Sequence, residues 1–122
     1  MTANIIYDTA FEDTGQIMLG RIRGSDAAYV TQASLTSITC AVVDITTGSE
    51  VSVITPSIVI ATVIFDTLQT GSLWTVDSTG YNFKHAMPAT AFPDASHVYK
   101  VTYTATPVSG AVFKWQYQIT AK

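Results

Sequence analysis

His97-Val-Tyr-Lys-Val-Thr-Tyr-Thr-Ala-Thr-Pro-Val-Ser-Gly-Ala-Val-Phe-Lys-Trp-Gln-Tyr-Gln-Ile-Thr120 decides the fold. In its first half Tyr99, Val101, Tyr103 and Ala105 alternate with Lys100, Thr102, Thr104 and Thr106. In its second half Phe113, Trp115, Tyr117 and Ile119 alternate with Lys114, Gln116, Gln118 and Thr120. A period of two puts each set on one face of a strand, apolar inward and polar outward. Pro107-Val108-Ser109-Gly110 joins the two as a short hairpin loop. The apolar face carries five aromatic rings, enough to form the centre of a core.

The same signal continues upstream. Ile38, Cys40 and Val42 alternate up to the turn residues Asp44-Ile45-Thr46-Thr47-Gly48, and Glu50 to Thr55 restarts the pattern before Pro56. Ile58 to Phe65 is apolar at nearly every position, the signature of a strand covered on both faces. Gln16 to Arg23 is closed by Gly24-Ser25-Asp26, and Tyr81, Phe83, His85 and Met87 alternate before Pro88. Strands are therefore expected at about 16–23, 37–44, 50–55, 58–65, 81–87, 97–106 and 112–120. This number of short strands with frequent turn signals predicts an all-β, immunoglobulin-like β-sandwich of antiparallel strands. Helix is expected only as single turns, at Asp66 to Thr70 with Asp66 as N-cap and at Ala89 to Phe92.

The chain has 122 residues, the size of one domain. We place that domain at 12–122, preceded by an extended N-terminal arm at 1–11. The arm carries Ile5, Ile6, Tyr7 and Phe11 before the acidic break Glu12-Asp13. Such an arm either folds back on its own domain or lies along a neighbour at an open sheet edge. The second course makes Ile5, Ile6, Tyr7 and Phe11 the candidate protein-interface residues. No signal-peptide pattern opens the chain, and no apolar run reaches membrane-spanning length.

Only 12% of residues are charged, half the usual share, and the mean hydropathy is +0.29. Nineteen Thr and 10 Ser supply polarity instead. Hydroxyls are far cheaper to desolvate than unpaired charges, which suits an assembling surface. The net charge of −3 and the scatter of the six basic residues exclude a nucleic-acid groove.

Catalytic motifs are missing: no nucleophile elbow, no phosphate loop and no paired-histidine metal motif occurs. No enzyme activity, metal or cofactor is expected. His85 and His97 fall on different strands, and a metal site needs them to converge with a carboxylate such as Asp94. Cys40 has no cysteine partner and lies within an apolar strand, where a thiol is a packing group. The aspartates read as turn and cap formers. Trp74 and Tyr81 flank the loop Thr75 to Gly80 and are candidates for stacking on a sugar ring.

The stretch V-I-F-D-T-L-Q-T-G-S-L-W-T-V-D-S-T-G-Y-N-F-K-H-A-M-P-A-T-A-F, from Val63 to Phe92, together with Val98-Tyr99-Lys100-Val101-Thr102-Tyr103 and Val30 to Thr39, resembles small immunoglobulin-like proteins of tailed bacteriophage virions. Asp77, Gly80, Tyr81, Pro88, Phe92 and Tyr99 anchor the resemblance. It implies a non-enzymatic structural or accessory protein of a tailed-phage virion, of the head-decoration, neck or tail-adaptor type. It also implies synthesis in the host cytoplasm and residence in the virion, with other virion proteins and copies of itself as partners, and neither nucleic acid nor membrane. Upper-baseplate proteins of this kind carry further domains after the sandwich; ending at Lys122, this chain fits a stand-alone accessory subunit better. Gly80 is expected to permit a backbone turn, Pro88 to stop a strand, and Tyr99 to place its hydroxyl on backbone carbonyls near the preceding corner. The alternative function is a carbohydrate-binding or host-surface adhesion module contacting a surface glycan through Trp74 and Tyr81.

Overall fold

The computed structural model describes residues 5–10, 16–24, 28–51, 58–71, 74, 78–87 and 92–122. The alternating hairpin forms as expected: β7 (Val98–Pro107) and β8 (Phe113–Ala121) pair antiparallel, with Tyr103 opposite Trp115 and Val101 opposite Tyr117. On the other side of β7 lies β3 (Leu35–Asp44), with Cys40 opposite Tyr103 and Val42 opposite Val101. The short β4 (Ser49–Val51) completes this antiparallel order as β8-β7-β3-β4. A second sheet runs β2-β6-β5, from Gln16–Gly20, Tyr81–Met87 and Ile64–Gln69. These seven antiparallel strands, in two sheets of three and four, pack as the expected all-β sandwich.

The arm joins the larger sheet. The backbone of β1 (Ile5–Ala10) pairs parallel with β8, from Ile5 opposite Gln116 to Ala10 opposite Ala121. This is the fold-back course, taken on the chain's own edge strand. The domain boundary drawn after residue 11 thus separates β1 in sequence but not in the sheet. Phe11 lies outside the described residues.

Two expectations are corrected. Ile58 to Phe65 is not one buried strand: Ile58 bridges Ile38, Ile60–Val63 forms a single helical turn (α1), and β5 starts at Ile64. The turn carries the chain between the two sheets, so the neighbours Val63 and Ile64 are both buried without belonging to one two-sided strand. Asp66 is consequently in β5, where its Oδ1 accepts the Gln32 N–H at 2.7 Å; it caps no helix. Of the strand expected at 50–55, Glu50 and Val51 belong to β4, and 52–57 lie outside the described residues. The turn expected after Pro88 lies there too, except for Phe92.

The core lies between the sheets. Phe83 of β6 meets Tyr103 edge-on at 4.7 Å and Trp115 at 5.1 Å, while Tyr103 and Trp115 stack at 5.5 Å. Offset and edge-to-face contacts of this kind add to what area burial contributes. The Tyr117 hydroxyl crosses to the smaller sheet and donates to the Leu19 carbonyl at 2.8 Å.

Candidate interaction surfaces

The strand alternation that builds the core leaves its complement outside. Thr39 and Ala41 of β3, Thr102 and Thr104 of β7, and Gln116, Gln118 and Thr120 of β8 face away from the core in three adjacent strands. Lys100 and Lys114 are the charges on these three strands' outer face, and no carboxylate shares it. Gln116 Nε2 donates to Thr102 Oγ1 at 3.1 Å, so part of the polar layer is paired along the surface.

At the end of the sheet where β3 stops and β7 starts, three titratable residues converge. His97 Nδ1 lies 2.6 Å from Asp44 Oδ2 and 3.8 Å from Asp94 Oδ2. Asp44 Oδ1 accepts the backbone N–H groups of Thr46 and Thr47, as an aspartate at a tight turn does. Burial resists ionisation of Asp44, but the His97 hydrogen bond and the two amides outweigh it and hold its carboxyl below the usual range. The Asp44 hydrogen bond raises the His97 pKa above its ordinary value against the opposing effect of burial, with both carboxylates adding to the rise. Asp44 fills the turn role that the sequence gives it, and the ion pair to His97 across 53 residues is what local pattern does not show. The three side chains offer ligand atoms within 4.8 Å of one another. With both Asp44 oxygens accepting hydrogen bonds, their arrangement is that of a lock between the β3–β4 turn and the start of β7.

His85 is elsewhere, in β6, with Nδ1 2.7 Å from the Tyr103 hydroxyl. Burial lowers its pKa and so favours the neutral ring, while the Tyr103 hydroxyl also lies 3.5 Å from the Met87 sulfur. The two histidines therefore do not converge. Burial pushes the Cys40 thiol up to about 12, partly offset by the Tyr103 hydroxyl, which leaves an inert packing group.

The stacking candidates divide. Tyr81 is buried, edge-on to Phe65 at 5.9 Å, and so offers no open ring face. Trp74 is half-buried and leans on Tyr81 at 5.7 Å. Of the arm residues, Ile5, Ile6 and Tyr7 have their backbones in β1, opposite Gln116, Tyr117 and Gln118.

One buried polar residue escaped the sequence reading. Alternation with Tyr81, Phe83, His85 and Met87 puts Asn82 on the outward face of β6, yet it is 1% exposed. Its Oδ1 accepts the Ile22 N–H at 2.7 Å, and its Nδ2 donates to the carbonyls of Ile22 at 2.9 Å and Val30 at 3.1 Å. Ile22 and Val30, between β2 and β3, lie against that face of β6, which alternation within β6 cannot reveal.

No family model, curated protein or solved structure matches this chain.

Proposed function

We propose that this chain is a non-enzymatic structural or accessory protein of a tailed-phage virion, of the head-decoration, neck or tail-adaptor type, acting by protein–protein assembly. The observation that carries the assembly part is the outer face of β3, β7 and β8. It is an array of hydroxyl, amide and methyl groups with two lysines, which loses little on desolvation and matches the depletion of charge at interface cores. The virion assignment comes from the sequence resemblance across Val30–Thr39, Val63–Phe92 and Val98–Tyr103. Many modest contacts repeated over a symmetric particle supply the avidity that one such face lacks.

The test is co-sedimentation of purified chain with virions at increasing input, read beside light scattering of the chain alone. Saturation at a fixed copy number is the expected result, and the number indicates head, neck or tail. A chain that never co-sediments overturns the virion reading and passes the question to a glycan array, where binding lost on Trp74→Ala would establish the adhesion alternative.

A further inference from the structure

The registers of β8, β7, β3 and β4 set their outward residues in rows across the larger sheet. Glu50, Val43, Lys100 and Gln118 share one row, Ala41, Thr102 and Gln116 the next, and Thr39, Thr104 and Lys114 a third. Glu50 points outward because Val51, its neighbour in β4, packs against the core. Thr39, Ala41, Glu50 and Lys114 are exposed, and the middle row carries no charge. Among the described residues, neither the Glu50 carboxylate nor the Lys114 ammonium makes an ion pair or hydrogen bond. One acid and one base thus stand unpaired at opposite corners of a face whose centre is neutral.

The placing of the two corners favours one geometry. Lys114 lies three strands from Glu50 across the sheet and two rows along it, about 14 Å in each direction. The line joining them therefore crosses the strands at about 45°, and its midpoint falls between Ala41 and Thr102. A twofold axis in the plane of the face, through that midpoint and at right angles to the line, exchanges the two corners. Glu50 of each copy then meets Lys114 of the other, and the strands of the two copies cross at about 90°, one of the two angles at which sheets pack. The same rotation sets Lys100 over Gln116 and Gln118 of the other copy, so like charges are not opposed. An axis along the strands through the same point sets Glu50 on Gln118 instead and pairs neither charge.

We infer that this face binds a second copy of the chain in a twofold dimer, with a Glu50–Lys114 pair at each of two corners and Ala41 and Thr102 at the centre. The inference rests on the assembly reading above and names the partner of that face. Such a dimer is isologous, the same patch serving both copies. Its uncharged centre and charged rim follow the usual anatomy of protein interfaces. The reciprocal pairs fix the crossing angle and reject misaligned encounters.

The experiment uses the full chain, with Glu50→Lys and Lys114→Glu at exposed positions and each variant checked for unchanged melting. Sedimentation velocity over a concentration series should show the parent chain dimerising. Each single variant opposes two pairs of like charges and should dimerise roughly tenfold more weakly. An equimolar mixture of the two should dimerise one to one with the parent's strength, because both charge pairs are then complementary again. Ala41→Arg, beside the axis, should abolish the dimer. A monomeric parent at every concentration, single variants that dimerise like the parent, a mixture no stronger than its components, or full dimerisation of Ala41→Arg overturns the inference. Virion binding that survives such a result leaves the proposed function standing, whereas a dimer of this behaviour that never co-sediments with virions supports the inference and removes the virion reading alone.

Discussion

The Tyr99 hydroxyl accepts the backbone N–H of Asp94 at 2.9 Å, five residues back along the chain. It ties the corner before β7 to the first buried ring of that strand, in the manner of the tyrosine corner of immunoglobulin-like sandwiches. The sequence reading expected carbonyl partners; the stronger partner is an amide, and the Asp94 carbonyl is more distant at 3.4 Å. Tyr99→Phe keeps the ring against Phe92 and removes the hydroxyl, so a loss of about 1 kcal/mol is expected in urea denaturation. An unchanged midpoint and slope would show that the bond adds nothing to stability.

The Asp44–His97 pair makes stability depend on pH with a defined sign. His97 has a raised pKa when folded, so its contribution is complete below the unfolded value of 6.5 and is lost as pH rises through the folded value. Asp44 has a lowered one, so its contribution is complete above 3.8 and is lost as pH falls through its folded value. Between these limits the pair is at full strength. Melting temperatures of the parent chain and His97→Gln should converge as pH climbs above the folded His97 value; parallel curves would count against the pair.

Asn82→Ala leaves the Ile22 N–H and two carbonyls without their side-chain partner inside the protein. A loss of roughly 2–3 kcal/mol is expected, well above that of an outward strand residue such as Lys84→Ala. Chemical denaturation of the two variants side by side checks it, and equal small losses would mean that water reaches the site.

Gly80 has φ +106°, and a Cβ there would lie 2.4 Å from the Gln69 carbonyl oxygen. Gly80→Ala should destabilise by about 1–3 kcal/mol through backbone strain and clash together. Gly48, at φ +79° with open space around it, serves as the comparison, since only strain acts there. Similar losses at the two positions would show that the close approach to Gln69 is relieved at no cost.

Cys40, with its thiol buried and its pKa pushed up to about 12, should not react with a thiol reagent at neutral pH until the protein unfolds. The labelling rate should follow global unfolding as denaturant is added. Rapid labelling of native protein would reveal local opening of β3.

The alternating segments were legible because a half-buried strand writes its two faces into the chain. Tyr99 to Ala105 and Phe113 to Ile119 alternate without interruption, and β7 and β8 fall within one or two residues of their expected limits. Ile58 to Phe65 was not legible, because an apolar run fits a two-sided strand and a buried crossing equally well. Asn82 misled for a related reason: period two reports which residues share a face, but not what another loop lays over that face. Among the candidate interaction residues, Tyr81 stood both in the inward set of its strand and as a stacking candidate, and its ring contacts with Phe65 and Trp74, made only in the folded chain, decide for the first.

The sequence by itself determined an all-β sandwich with an aromatic core and a polar surface poor in charge, since periodicity and composition are local and additive properties of the chain. The tertiary structure alone decided which edges and ends face one another. Parallel pairing of β1 with β8, the meeting of Asp44 with His97, and the burial of Asn82 against Ile22 and Val30 depend on contacts between residues far apart in the chain. Such contacts follow from strand order and the closing of two sheets over one core, which no run of alternating residues encodes.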